Sequence, residues 1–267
     1  MMSKKEGEFI MLKSFKKSMI VLISCLSISI LSSAAIPKIS PKRASEYSAQ
    51  SARALSSPYS TVANVTVSGS FATLKETGQP FTGTYAEFNE VGRVQSLRSY
   101  QDGKLHGPMF LYYENGNILK VTNYVNGVRD GEDVDFYGNG NSKTLRRYKN
   151  GALNGDSYDF DEFGRLASTM QYSNNVRHGK EIKYSNGIVT NENTYANGQL
   201  NGEAKSYYSN GTLRSNGNYS RNLRHGQWTW NYENGTKKLI ETYQNGLITD
   251  ILGYSRNGAK EREMKLV

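Results

Sequence analysis

The chain has 267 residues, 37% of them hydrophobic, with 26 glycines, 19 tyrosines, 5 prolines and a net charge of +9. Together with a mean hydropathy of −0.64, this composition excludes a polytopic membrane protein, a collagen-like chain and an enzyme built on a thick aliphatic core. Many Gly plus many Tyr predict a thin architecture with frequent turns, in which aromatic rings supply the burial.

The first 35 residues are a different material. Lys4, Lys5, Lys13, Lys16 and Lys17 precede an uncharged, mostly apolar stretch, Ser18–Leu31, followed by the small residues Ser33-Ala34-Ala35. A basic region, a short apolar region and a small-residue site predict a secretory signal peptide over 1–35, with Met1 or Met11 as the start. The apolar stretch is shorter than the ~20 residues that span a bilayer. Cys25, the chain's one cysteine, sits in Leu22-Ile23-Ser24-Cys25, which resembles a lipobox and makes Cys25 the alternative, lipidated N-terminus. Cleavage after Ala35 leaves no thiol, hence no disulfide and no cysteine nucleophile. The leader holds +3 of the charge, so the remainder is mildly basic, and an exported, mildly basic chain does not predict a nucleic-acid partner. Residues 36–65 are rich in Ser and Ala and predict a flexible linker. Residues 66–82 are expected to form a capping strand region.

From there the chain copies itself. Gly92, Gly116, Gly140, Gly164, Gly187, Gly211 and Gly235 are spaced 24, 24, 24, 23, 24 and 24 residues apart. A tyrosine follows each after eight residues, from Tyr100 to Tyr243, and a second glycine series runs Gly83, Gly107, Gly131, Gly155, Gly179, Gly202 and Gly226. A fixed period of this size means a repeat array. Each unit holds two turns separated by room for short strands, and Asn-Gly between such runs is a hairpin signal because both residues tolerate positive φ. The prediction is an all-β, elongated, twisted antiparallel meander over 83–258, with 259–267 as a C-terminal strand or tail.

Register follows from columns. Phe88, Tyr112, Phe136, Phe160 and Tyr207 stand four residues before the turn glycine; Val94, Ile118, Leu166, Val189 and Leu213 stand two after it. A three-residue loop, Glu114-Asn115-Gly116, pairs Tyr112 with Ile118; in the short repeat a two-residue loop, Asn186-Gly187, pairs Tyr184 with Val189. Strict alternation then puts both columns and the tyrosines on one buried face.

The blocks Gly103-Lys-Leu-His-Gly107, Asn222-Leu-Arg-His-Gly226 and Tyr112-Tyr-Glu-Asn-Gly116 resemble the membrane occupation and recognition nexus (MORN) repeat, in its bacterial Tyr-x-x-Asn-Gly variant, over about 190 residues. The resemblance implies stacked hairpins, no common catalytic site, no cofactor, and a scaffold that binds proteins or lipids; some bacterial relatives are antitoxins. The stretch Phe160-Asp-Glu-Phe-Gly-Arg-Leu166 also resembles the Tyr-Asp repeats of secreted shell-forming toxins, which lack the second glycine element.

Candidate site residues are few. His106, His178 and His225 share one repeat slot but lie 72 and 47 residues apart, too far along a strand array to share a zinc ion. The acidic residues Asp130, Glu132, Asp133, Asp135, Asp156, Asp159, Asp161 and Glu162 read as a solvated strand face. The slot before the second glycine alternates Leu105, Arg129, Leu153, Arg177, Leu200, Arg224, so Arg129, Arg177 and Arg224 line up every second repeat. With Trp228 and Trp230, which alternate onto one face, they are the candidate partner-binding residues. The expected function is a non-catalytic exported scaffold for a protein partner. The alternative is a peripheral module for a membrane surface or cell-wall glycan.

Overall fold

The computed structural model describes residues 41–266; the leader, with Cys25 and its cleavage site, lies outside them. In chain order the elements are α1 (Pro41–Ser56), β1 (Tyr59–Ser60), β2 (Val65–Ser68), β3 (Phe71–Leu74), β4 (Gly83–Phe88), β5 (Val94–Gln101), β6 (Lys104–Tyr112), β7 (Ile118–Val125), β8 (Val128–Phe136), β9 (Ser142–Lys149) and β10 (Ala152–Leu153). The series continues with β11 (Gly155–Phe160), β12 (Leu166–Ser173), β13 (Val176–Ser185), β14 (Ile188–Ala196), β15 (Gln199–Tyr207), β16 (Leu213–Ser220), β17 (Leu223–Asn231), β18 (Lys237–Gln244), β19 (Leu247–Tyr254) and β20 (Lys260–Lys265).

From β4 to β20 the strands pair antiparallel in sequence order, with the two-residue β10 beside β9 and β11 following on the same strand's edge. One parallel pairing, β1 to β4, makes the sheet mixed. The β2–β3 hairpin folds over the N-terminal end, where Val65 and Ala72 are buried with Phe81, Tyr85, Tyr100 and Leu105.

The turn chemistry is as the sequence dictates. Gly116 donates to the Tyr113 carbonyl (2.9 Å) at φ 86°, closing the three-residue loop, and Tyr112 pairs with Ile118. In the short repeat Asn186 and Gly187 both have positive φ, and Tyr184 pairs with Val189. The second glycine series has its own reason. Each of its members lies directly opposite the tyrosine of the next strand, from Gly83–Tyr100 to Gly226–Tyr243, always at positive φ. A side chain there would be strained in that backbone, whatever the space around it.

One expectation is corrected. The aromatic column before the turn and the tyrosine column do not share a face, because a β-bulge intervenes. Leu111 pairs with Lys120 but Tyr112 with Ile118, so Leu119 is an extra residue and the alternation shifts by one. Tyr100 and Tyr124 therefore pack under the β2–β3 hairpin, whereas Tyr112, Ile118 and Phe136 line a hollow beside Ser48 and Ser51 of α1. The sheet thus has a tyrosine face and a helix face.

The second correction concerns the expected linker. Residues 41–56 form α1. Pro41 stands at its first position, where a missing N–H costs nothing, and Pro58 follows just past its end. Its inward stripe is Tyr47, Ser51, Ala54 and Leu55, a helical spacing hidden by the serine. Tyr47 meets Phe136 edge-on at 6.3 Å and donates to Glu132 Oε2 at 3.3 Å. On this face an unbroken cross-strand row runs Ala86, Leu97, Phe110, Val121, Val134, Leu145, Tyr158, all buried. The same row then continues through Thr169, Ile182, Glu192, Lys205 and Asn216, polar except at Ile182.

Repeats are stitched edge to edge. The Tyr113, Tyr137, Tyr208 and Tyr232 hydroxyls donate to backbone carbonyls 22 or 23 residues on, at 2.7–3.0 Å. At the opposite turns the second residue donates its N–H to the preceding repeat, as Gly127 does to Leu105 and Gly151 to Arg129. Where Asn222 replaces that glycine it keeps φ at 67° and its Oδ1 accepts the Leu200 N–H at 2.7 Å. Asn222→Ala should therefore cost about 1–2 kcal/mol, combining left-handed strain with a lost hydrogen bond. Asn222→Gly, which relieves the strain, should cost less; urea midpoints of the two variants check the order.

Candidate functional site

The tyrosine face collects nearly every functional candidate, and cross-strand pairing explains why. Each tyrosine faces a glycine on the strand before it and the alternating Leu/Arg slot on the strand after it: Tyr100–Leu105, Tyr124–Arg129, Tyr172–Arg177, Tyr195–Leu200, Tyr219–Arg224. Each arginine also reaches the following repeat. The guanidinium of Arg129 stands 5.4 Å from the Tyr148 ring centre, that of Arg177 5.5 Å from Tyr195, and that of Arg224 5.4 Å from Tyr243. The aligned arginines are thus cation–π braces between neighbouring rings. Arg129 and Arg177 keep substantial exposure, with 45% of the Arg129 side chain accessible.

Beside this lane runs a ladder of ions. Lys120 Nζ bridges Asp133 (2.6 Å) and Asp135 (3.0 Å); Asp135 also accepts from Thr144, and Asp159 pairs with Arg146 and Ser168. The expectation of a solvated acidic face fails at one residue, Asp133. Asp133 is buried, and its charge is matched by Lys120 and by the Thr122 hydroxyl at 3.2 Å. No cluster of metal-ligating side chains occurs among the described residues. His106, on β6, accepts from the Asn126 N–H of the next hairpin tip, with Nδ1 at 3.4 Å, the role Asp130 plays for Asn150 in the next repeat.

Trp228 and Trp230 sit together at the C-terminal part of the face, ring centres 6.2 Å apart. Arg224 lies over both rings, at 4.6 and 5.1 Å, and bonds the Tyr243 hydroxyl at 2.8 Å. Trp230 Nε1 donates to Glu241 Oε2 at 2.9 Å, and Trp228 Nε1 to the Asn218 carbonyl at 3.0 Å. Trp228 is only 4% exposed, its ring laid across Gly217. Of the two indoles, therefore, Trp228 is held inside the cluster, and Trp230 is the more open.

Two residues that matter here carry no motif of their own. Gly217 falls outside both glycine series, which is the signal that could have marked it. Asn191 on β14 lies opposite Ser206, in the row that leads to Trp230.

Burial pushes the phenols of Tyr100, Tyr112, Tyr158 and Tyr195 above their ordinary 10.0. Burial does the same at Tyr207, with Glu192 adding to it, and at Tyr243, with Glu241 adding to it. A group whose pKa is raised by folding contributes stability below its unfolded value and loses it as pH rises beyond. The urea midpoint should hold up to about pH 9 and fall steeply toward about pH 11. Parallel ultraviolet titration should show these phenols ionising together with unfolding.

Three segments, residues 105–126, 200–221 and 224–245, match the family model of the MORN repeat variant. Each runs from the Leu/Arg slot through the turn to the second hairpin tip. No protein of curated function matches. Among solved structures, a crystal structure of TcdB2–TccC3–Cdc42 is 12% identical over 64% of this chain, with a TM-score of 0.17. A Photorhabdus luminescens Tc holotoxin pore is 11% identical over 73% of it, also at 0.17. The chain spans 14% of the length of each, and the similarity is too slight to bear on fold or function. With the 24-residue period and the pairing it sets up, the three matched segments are similar to MORN repeats of the variant type.

Proposed function

We propose that the protein is a non-catalytic, exported repeat scaffold that binds another protein at or outside the bacterial envelope through its tyrosine face. MORN repeats are commonly interaction repeats for proteins or membranes, and the observation that carries the reading is the lane of regularly placed arginines. Arg129 and Arg177 each present a partly exposed guanidinium whose position is fixed by rings on neighbouring strands. A pre-ordered cation lane on a broad sheet suits a flat acidic partner, because little side-chain entropy is lost on binding.

Export rests on the leader. The mature N-terminus, determined by mass spectrometry of protein from the native host, should be Ile36. An intact Met1 or Met11 in the cytosol sinks the localisation, and a lipid-modified Cys25 turns the reading toward a peripheral membrane protein. Pull-down from envelope extracts, run beside co-sedimentation with liposomes and peptidoglycan, separates a protein partner from a lipid or glycan surface.

A further inference from the structure

Across most of the tyrosine face charge is dense, but three adjacent strands break the pattern. The row that reads Lys120, Asp135, Thr144, Asp159 on β7 to β11 becomes Asn191, Ser206 and Ser215 on β14 to β16. In the neighbouring row Asp133 and Glu181 give way to Asn193 and Ala204. Small neutral residues thus floor a trough of about 270 Å³, about 14 Å across at three strand spacings, with Trp228 and Trp230 as its wall.

The lining has a definite chemistry. Among the described residues the Asn191 amide has no hydrogen-bond partner, so two donors and an acceptor are available. Asn193 gives one N–H to Glu181 and keeps its carbonyl oxygen, and the Ser206 and Ser215 hydroxyls lie 2.6 Å apart. The cations at the margin are engaged elsewhere: Lys183, opposite Asn191, with Glu181 at 3.8 Å, Lys205 with Glu203, Arg214 over the Tyr208 ring, and Arg224 with the tryptophans, Tyr243 and Glu241. A charged ligand finds no free counter-charge here and would lose its hydration without return. A ligand with hydroxyls on its edges and C–H groups on its flat side meets amides and hydroxyls below and an indole beside it.

We propose that this trough binds a neutral oligosaccharide, with Trp230 packing against a sugar ring and Asn191 and Asn193 hydrogen-bonding its hydroxyls. The trough meets the arginine lane only at Arg224, which the indoles and Tyr243 hold; its ligand is read in a different assay from partner capture at Arg129 and Arg177, so either proposal can fail alone.

Both tryptophans of the chain line the trough, so indole fluorescence reports on this site alone. The full chain is titrated with cellotetraose, maltotetraose, N-acetylchitotetraose and, as the charged counterpart, tetragalacturonate. At least one neutral tetrasaccharide should give a saturable fluorescence change at millimolar or lower concentration. Asn191→Ala, which removes no bond of the fold, should weaken that binding about three- to tenfold, the value of one lost hydrogen bond. Trp230→Ala should abolish it by calorimetry, and Met109→Ala, on the same face but far along the sheet, should leave it unchanged. The proposal is overturned if none of the three neutral sugars saturates, if Asn191→Ala binds as the wild type does, or if tetragalacturonate binds as tightly as the neutral sugars.

Discussion

Trp228→Ala is expected to lower stability by about 3–5 kcal/mol, the usual cost of emptying a packed aromatic site. The ring is 4% exposed, meets Tyr219 edge-on at 5.0 Å and lies beneath Arg224. Its seat is Gly217, where a Cβ would fall 2.3 Å from the indole. Gly217→Ala should therefore cost about 1–3 kcal/mol in the wild type, since the buried ring cannot step aside. In the Trp228→Ala background the same change should be close to neutral, because the clash is gone. A double-mutant cycle in urea measures that coupling directly, and additive effects would mean that ring and glycine do not meet.

Phe110→Ala should cost a similar ~3–5 kcal/mol, at the other end and on the other face. Phe110 is 1% exposed, paired between Leu97 and Val121 and stacked 6.5 Å from Tyr112. Because repeats couple mainly to their neighbours, the damage should be local before it is global. Hydrogen exchange should speed up in β5 to β7 while β15 to β18 keep their protection; uniform acceleration along the whole array would contradict nearest-neighbour coupling. The Trp228 variant should show the reverse distribution.

The period and the turn residues made most of the fold legible. Asn-Gly needs positive φ at both residues, the loop length follows, and with it the pairing of Tyr112 with Ile118 and of Tyr184 with Val189. What alternation alone could not supply was the bulge at Leu119, which adds a residue without a glycine or proline to mark it and moves the tyrosines to the opposite face. Helix α1 was missed because its buried stripe includes Ser51, a small polar residue that dilutes the apolar period. At the site, the regular spacing of Arg129, Arg177 and Arg224 was visible, but their rings were not, since each stacks on a tyrosine from the next repeat. Asp133 looked solvated because its partners, Lys120 and Thr122, sit on a neighbouring strand. The neutral trough was hidden for the same reason: Asn191, Ser206 and Ser215 are ordinary residues until cross-strand pairing sets them side by side.

The most direct test of a partner-binding tyrosine face is a comparative pull-down from envelope extracts with the wild type and an Arg129→Glu, Arg177→Glu variant. Neither arginine is buried, so circular dichroism should confirm that the variant keeps its β-sheet spectrum. A face that recruits its partner through the arginine lane predicts an envelope protein retained by the wild type and lost by the variant. Retention of the same protein by both, or of no protein by the wild type, would contradict it.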